Sequence, residues 1–473
     1  MLYGALRVAQ GEVLYRDFFE FQGPVFFWLF SWLFGWLGPS MPAAQALQVL
    51  LNASSALGLA VVVARLAGPV IALTSSVLFV CLIVPMWPHA YPHWLALLFV
   101  HAALALLAGA RPAWWRLGLA GACLGLSMAT IQSLGVAAFG ASVVGVLVSG
   151  AGARRWRAGV MAALPLVAGA LIVVGVIAAL FAAHGALGDL AWAMFEWPFK
   201  HYRGINSTSY AAFLVDHLDS NRSQPHLWRL LSQAGVVVIA ALPLLAMIFG
   251  GAVIVAQGRA LLRRAAPIAG VVPAIVAVAV VLPLFVAHTR SDVVHLAFLS
   301  SLAFVAMAAA VSHWPALGRR LGLALSVLAG VFALNFSWKT YRSTTHPDRP
   351  ISFKQAWEKR FTFAEALEAA VKPGDRVVVG PEGSGGYAYL FTGTVNATSY
   401  TYLPFGWRAE SDYLSSAQWD RAGREIVERR PVVIVVDDEQ WARLLRSAPA
   451  LSSMYEQRDE LRHLRPAPSP GVP

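Results

Sequence analysis

Long apolar runs separated by short polar connections dominate the first 340 residues. Ten of these runs read as membrane-spanning helices: 43–64, 69–87, 93–110, 117–132, 134–150, 158–183, 231–257, 266–287, 294–312 and 321–338. The yardstick is the roughly 20 residues that a helix needs to cross the hydrocarbon core. Between the fourth and fifth runs only Ser133 and its neighbours intervene, with Gln132 as the one strongly polar break, so the pair reads as two spans or as one long broken segment. Ahead of the first run, VFFWLFSWLFGWLG follows Pro24 and stops before Pro39 and Pro42, which is short for a span and predicts an interfacial or re-entrant helix. From Lys339 onward the pattern changes to that of a soluble domain. Phe363 to Val371 predicts a helix, RVVVG at 376–380 a buried strand, Glu410 to Arg430 contains a second helix, and VVIVV at 432–436 predicts a second buried strand. The expected fold class is therefore mostly α: a polytopic bundle of about ten spans plus an interfacial helix, followed by a small α/β domain. The expected domains are a first loop over 1–42, a transmembrane domain over 43–338, an α/β domain over 339–465 and a disordered tail over 466–473.

Composition sharpens this picture. Mean hydropathy is +0.61 and charged residues make up 13% of the chain, against roughly 25% in an ordinary soluble domain. The formal net charge of +11 does not point to nucleic acid, because the basic residues lie in short clusters between apolar runs. Their placement is a topology signal. If the spans alternate, one set of connections holds Arg65, Arg111 and Arg116, Arg154, Arg155 and Arg157, Arg259, Arg263 and Arg264, and Arg319 and Arg320, while the opposite short loops hold almost none apart from Arg290. The positive-inside rule makes the arginine-rich set cytoplasmic, and it puts the first loop, the 184–230 loop and the C-terminal domain outside an inner (plasma) membrane. Merging the fourth and fifth runs destroys the alternation, which favours keeping them apart. Cys81 and Cys123 both fall in apolar runs, so neither a disulfide framework nor a cysteine metal cluster is indicated. The opening residues MLYGALRVAQGE lack the apolar centre of a cleavable signal.

None of the ten runs contains Lys, Arg, Asp or Glu, so candidate chemistry lies at their expected outer ends. The densest stretch is Leu14 to Pro24, LYRDFFEFQGP, where Arg16, Asp17, Glu20 and Gln22 alternate with Tyr15, Phe18, Phe19 and Phe21. It reads either as a polar site pinned at the membrane surface by aromatic rings or as a solvated amphipathic linker. WPHAYPHW carries His89 and His93, whose spacing matches helical metal ligands; Pro92 argues against a regular helix there, and no metal is assigned. His89 reads instead as a hydrogen-bonding, orienting residue. WPFKHYRG carries Lys200, His201, Tyr202 and Arg203, which read as an interface anchor or as contacts to a lipid phosphate, with Tyr202 orienting. In HTRSDVVH, Arg290 and His295 suit a phosphate with Asp292 orienting them, or else the segment is a tight charged turn. GPEGSGG at 380–386 lacks the lysine of a phosphate loop and reads as a flexible turn, and Asp437 with Asp438 reads as a helix cap.

LYGALRVAQGEVLYRDFFEFQGP resembles the first outer loop of bacterial GT-C glycosyltransferases, the broad group that includes protein mannosyltransferases and the aminoarabinose transferase of lipid A. AGACLGLSMATIQSLG, the HTRSDVVH turn and a C-terminal α/β domain follow in the order of such proteins, so the resemblance covers nearly the whole chain with short, degenerate motifs. It implies a sugar donor linked to polyprenyl phosphate, a glycan, lipid or protein acceptor, and chemistry at the outer membrane face. It also implies that a first-loop carboxylate acts as the base, with Asp17 and Glu20 as the candidates here. Arg16, Lys200, His201, Arg203, Arg290 and His295 would then hold the donor phosphate. The resemblance leaves the cofactor undecided. The family pattern places a first membrane helix and an acidic Asp-Glu motif ahead of the position of Tyr3; the expectation is that these precede Met1, the alternatives being that Asp17 or Glu20 does that work or that the protein is inactive. Two other classes stay open: a flippase for lipid-linked sugars, which needs a polar path through the bilayer, and a non-catalytic receptor that binds through its C-terminal domain.

Overall fold

The computed structural model describes residues 1–108, 113–152, 156–198, 200, 226–262, 272–289, 293–345, 353–380, 385–400, 416–458 and 461–465. Helices α1 (Leu2–Ala9) and α2 (Pro24–Leu37) flank the first loop. Then come α3 (Met41–Ala67), α4 (Pro69–Leu78, continued by a π-turn and a 3₁₀ turn to Met86), α5 (Pro92–Leu107), α6 (Trp114–Met128), α7 (Gln132–Gly152) and α8 (Trp156–Ala183). After α9 (Leu187–Ala191) and a π-helical turn over Trp192–Glu196, the long helices α10 (His226–Leu262), α11 (Val272–Thr289), α12 (Val293–His313) and α13 (Pro315–Thr345) complete the apolar part. Each of the ten apolar runs overlaps a different helix among the described residues, but the fourth run is cut short: α6 ends at Met128, and Gln132, the last residue of that run, is the first of α7. Among the described residues, six helices are both long and apolar enough to cross a membrane: Met41–Ala67, Pro69–Met86, Arg157–Ala183, Gln233–Arg259, His295–His313 and Pro315–Tyr341. The segment after Pro24 is a 14-residue apolar helix. The fold is mostly helical, as a membrane protein of this class requires.

The chain packs as two compact units, one of Met1–Ala44, Phe181–Asn206 and Pro347–Pro473, the other of Gln45–Leu180 and Ser207–His346. In the second, helical unit α12 is central: 89% of its apolar window is buried, against 28% for the windows in α8 and α13. Those two helices instead leave large apolar side chains such as Leu171, Ile172 and Leu334 exposed, which suits a lipid environment. Fully buried His101 on α5 links three helices, with Nδ1 2.8 Å from Ser55 Oγ on α3 and Nε2 3.0 Å from Ser301 Oγ on α12. Interhelical hydrogen bonds of this kind offset the cost of an ionisable ring among apolar helices. Arg65 and Arg116 both meet the C-terminal carbonyls of α5, Arg65 at Ala108 O (3.0 Å) and Arg116 at Ala105 O (3.4 Å). Two arginines from successive members of the arginine-rich set therefore share one end of the unit, where they complement the negative pole of a helix. At the opposite end of α5, His93 stacks on Tyr91 (5.0 Å) and Phe298 (4.7 Å) and meets His295 edge-on (5.0 Å).

In the first unit, α14 (Phe353–Arg360), α15 (Ala364–Ala370), α16 (Gly385–Thr392), α17 (Ser416–Arg429), α18 (Asp438–Ser447) and α19 (Leu451–Met454) accompany a five-stranded sheet. Its strands β1 (Arg376–Val379), β2 (Val395–Asn396), β3 (Val433–Val435), β4 (Tyr455–Arg458) and β5 (Leu461–Leu464) run in the order β2-β1-β3-β5-β4. The β2, β1 and β3 strands are parallel, and the β4–β5 hairpin adds antiparallel to β3. RVVVG and VVIVV are the central strands, buried because helices cover them, as continuous Val/Ile runs in parallel sheets require. The short β2 and the polar hairpin YEQR/LRHL escape the sequence pattern because neither carries an apolar run. Asp437 caps α18: its Oδ1 accepts from Gln440 N–H (2.8 Å) and its own N–H donates to Gln440 Oε1 (2.8 Å). Of the GPEGSGG segment, residues 381–384 lie outside the described residues, and Gly385 opens α16. The expected disordered tail, 466–473, also lies outside them.

Candidate functional site

Helix α1 anchors the first loop to the sheet. Tyr3 stacks on Tyr389 of α16 (4.2 Å) and its hydroxyl accepts the Asn396 N–H (2.7 Å); burial pushes the Tyr3 phenol up to about 12. Arg7, 3% exposed, pairs with Glu12 (2.6 Å), donates to Thr398 O (3.1 Å) and lies over the Phe18 ring (4.6 Å). Replacing Arg7 by leucine strands the Thr398 carbonyl and Glu12, and is expected to destabilise this unit by about 1–3 kcal/mol. Thermal unfolding of the purified protein measures it; an unchanged midpoint would show that Arg7 does not hold the loop.

Beyond this anchor the loop turns sharply. Tyr15 has φ 70°, a strained value for a bulky residue. It is held there by its hydroxyl, which donates to Gln22 O (2.6 Å), and by packing on Phe181 (5.4 Å). Arg16 makes a two-pronged bond to Asp17 (2.8 and 3.0 Å) and donates to His184 O (3.0 Å). Asp17 also accepts the Val13 N–H (2.7 Å). Hydrogen bonding to Arg16 holds the Asp17 carboxyl below the usual carboxylate range, with the Val13 N–H adding to it. Such a carboxylate is a weak proton acceptor and a good turn-former. Since its folded pKa is depressed, its contribution is present above the unfolded value of about 4 and is lost as pH falls through the folded one. The pair is partly exposed, so solvent screening keeps that contribution small. The protection factors of the Val13–Phe19 amides, each measured against the intrinsic exchange rate at the same pH, should therefore fall a few-fold in Asp17→Asn at neutral pH, and in the native protein as pH falls below about 4; identical protection factors in the two proteins at neutral pH would contradict the turn-forming role.

Phe19 leads the chain back to the sheet domain: its N–H donates to Ser399 O (2.7 Å), and its ring packs on Trp197 (5.0 Å), Trp192 (5.6 Å) and Tyr400 (6.1 Å). Glu20 follows directly and is 1% exposed, shielded from bulk water. Around this junction lies an open cleft of about 250 Å³, lined by Tyr15, Arg16, Phe18 and Phe19 of the loop, Asp189 and Trp192 beyond α8, and Ser399, Tyr400, Gln418 and Arg421 of the sheet domain. Arg421 donates to Glu425 Oε1 (3.0 Å) and Ser399 Oγ (3.2 Å).

Only part of the constellation expected from the sequence falls among the described residues. Arg16, Asp17 and Glu20 share the first unit with Lys200, which is exposed and pairs with Glu196 (2.6 Å). His201, Tyr202, Arg203, Arg290 and Asp292 lie outside the described residues. His295 and His89 belong to the helical unit, where His295 meets His93 and His89 packs edge-on against Trp87 (5.5 Å). Because α5 begins at Pro92, His89 precedes the helix and His93 lies within it, so the pair does not share a helical face. Asp189, Trp192, Ser399, Gln418 and Arg421 escaped the sequence reading because single polar residues in separate segments form no motif; only folding brings them together. No protein-family model, no characterised protein and no solved structure matches this chain.

Proposed function

We propose that this chain is an integral membrane glycosyltransferase that moves a sugar from a polyprenyl-phosphate donor to an acceptor at the extracytoplasmic face of the membrane. The observation that carries the reading is the packing of the first loop, which holds Asp17 and Glu20, onto the C-terminal α/β domain around an open polar cleft, in a chain whose described helices include six long and apolar enough to cross a membrane. The meeting of Arg65 and Arg116 at one end of the helical unit supports the arginine-based orientation. In this reading Glu20 takes the acceptor proton as the new glycosidic bond forms, because Arg16 and Val13 already engage Asp17 and lower its basicity. Asp17 positions the loop. His201 and Arg203, which the sequence offers for the donor, stabilise the departing lipid phosphate. Transfer of labelled sugar from synthetic polyprenyl-phosphate donors by the purified protein, across a panel of sugars and acceptors, tests the reading; no transfer from any donor would reject it.

A further inference from the structure

The cleft in the first unit has a chemistry that the transfer reading does not assign. Trp192 lines it, is 37% exposed and packs edge-on with Phe19, so part of its side chain is uncovered. Around it stand groups that donate, accept or do both: Arg16, Arg421, Asp189, Ser399 and Gln418. A hydroxylated ring demands that combination, since its apolar C–H face stacks on an aromatic surface while each edge hydroxyl needs both a donor and an acceptor.

Charge decides between a sugar and a phosphate. Each arginine of the cleft is already matched by its own carboxylate, Arg16 by Asp17 (2.8 Å) and Arg421 by Glu425 (3.0 Å), and Asp189 adds a further negative charge to the lining. Their guanidinium groups keep donors to offer but carry little uncompensated positive charge. A dianionic phosphate needs cations without such partners. At about 250 Å³ the cleft is also smaller than the roughly 300–1,000 Å³ of drug-sized ligand sites, which fits one small polar molecule.

We infer that this cleft binds a single neutral pyranose stacked on Trp192, and that the ring belongs to a glycan acceptor rather than to the phosphate-bearing donor. Its assignment to the acceptor rests on the glycosyl-transfer reading; the binding itself does not.

Saturation-transfer NMR on the full chain in nanodiscs, with methyl α-glycosides of mannose, glucose and galactose and with glucose 1-phosphate as the charged probe, tests this without any turnover. At least one neutral glycoside should bind, with the strongest transfer to its ring protons, and glucose 1-phosphate should bind more weakly. Trp192→Ala should weaken binding about 3- to 10-fold, the range of one aromatic stacking contact, and Trp192→Phe should restore part of it. Phe195→Ala, which removes an aromatic ring 56% exposed on the same π-helical turn, should leave binding unchanged. Thermal unfolding of each variant separates loss of binding from loss of fold, and Asp189→Ala offers a second route should Trp192→Ala unfold. The proposal is overturned if no neutral glycoside binds, if glucose 1-phosphate binds more tightly, or if Phe195→Ala and Trp192→Ala act alike, which would make the tryptophan a membrane anchor. Glycoside binding by a protein that transfers no sugar would reject the transferase reading and keep this one. Transfer without glycoside binding would do the reverse.

Discussion

Glu20→Gln is expected to lower sugar transfer by roughly 10²- to 10⁴-fold with little change in donor KM, the signature of a lost proton acceptor. The substitution keeps the shape of a side chain that is 1% exposed, so the packing of the first loop against the sheet domain should survive. Asp17→Asn is the informative companion. Its carboxylate is engaged by Arg16 and by the Val13 N–H, so its loss should loosen the turn and raise KM while leaving kcat within about tenfold. Steady-state transfer kinetics on both variants distinguish the roles. A large fall in kcat for Asp17→Asn with none for Glu20→Gln would exchange the two assignments.

The second large effect concerns stability. A Cβ on Gly121 of α6 would stand 1.9 Å from Leu166 O of α8, and one on Gly169 would stand 2.0 Å from Gly118 O, so the two helix backbones are in direct contact. Small residues permit that approach between apolar helices, where packing replaces the hydrophobic effect as the driving force. Gly121→Val must push the helices apart and is expected to destabilise the helical unit by about 1–3 kcal/mol or more. The comparison is Gly140→Val, where a Cβ meets nothing within 4 Å and little change is expected. Thermal melts of the two proteins in one detergent decide the matter: equal midpoints would contradict the close packing.

How much of this could be read from the sequence follows from the range of each signal. Apolar runs are local, so a helix was legible under each of them, as were the two central Val/Ile strands and the Asp437 cap; the exact break between the fourth and fifth was not, since it falls at Ala129–Ile131, ahead of Gln132. The β4–β5 hairpin was not, because YEQR and LRHL owe their strand state to pairing with β3 and with each other. Nor was the role of His101, because a lone histidine in an apolar run carries no sign that Ser55 and Ser301 make it a junction of three helices. The importance of the first loop was legible in its density of charge and aromatic rings. Its partners were not, because Asn396, Thr398 and Ser399, which receive Tyr3, Arg7 and Phe19, stand nearly four hundred residues away. The same distance hid the cleft, whose lining comes from three separate stretches.

The central claim is sugar transfer from a lipid-linked donor at the extracytoplasmic face, and sidedness and chemistry can be read together. Sealed right-side-out and inverted membrane vesicles containing the protein are given the same labelled polyprenyl-phosphate sugar in the outer leaflet and the same impermeant acceptor. Product should form in right-side-out vesicles, fall roughly 10²- to 10⁴-fold with Glu20→Gln, and be absent from inverted vesicles until they are permeabilised. Product in the inverted vesicles alone, or in neither, would contradict the account.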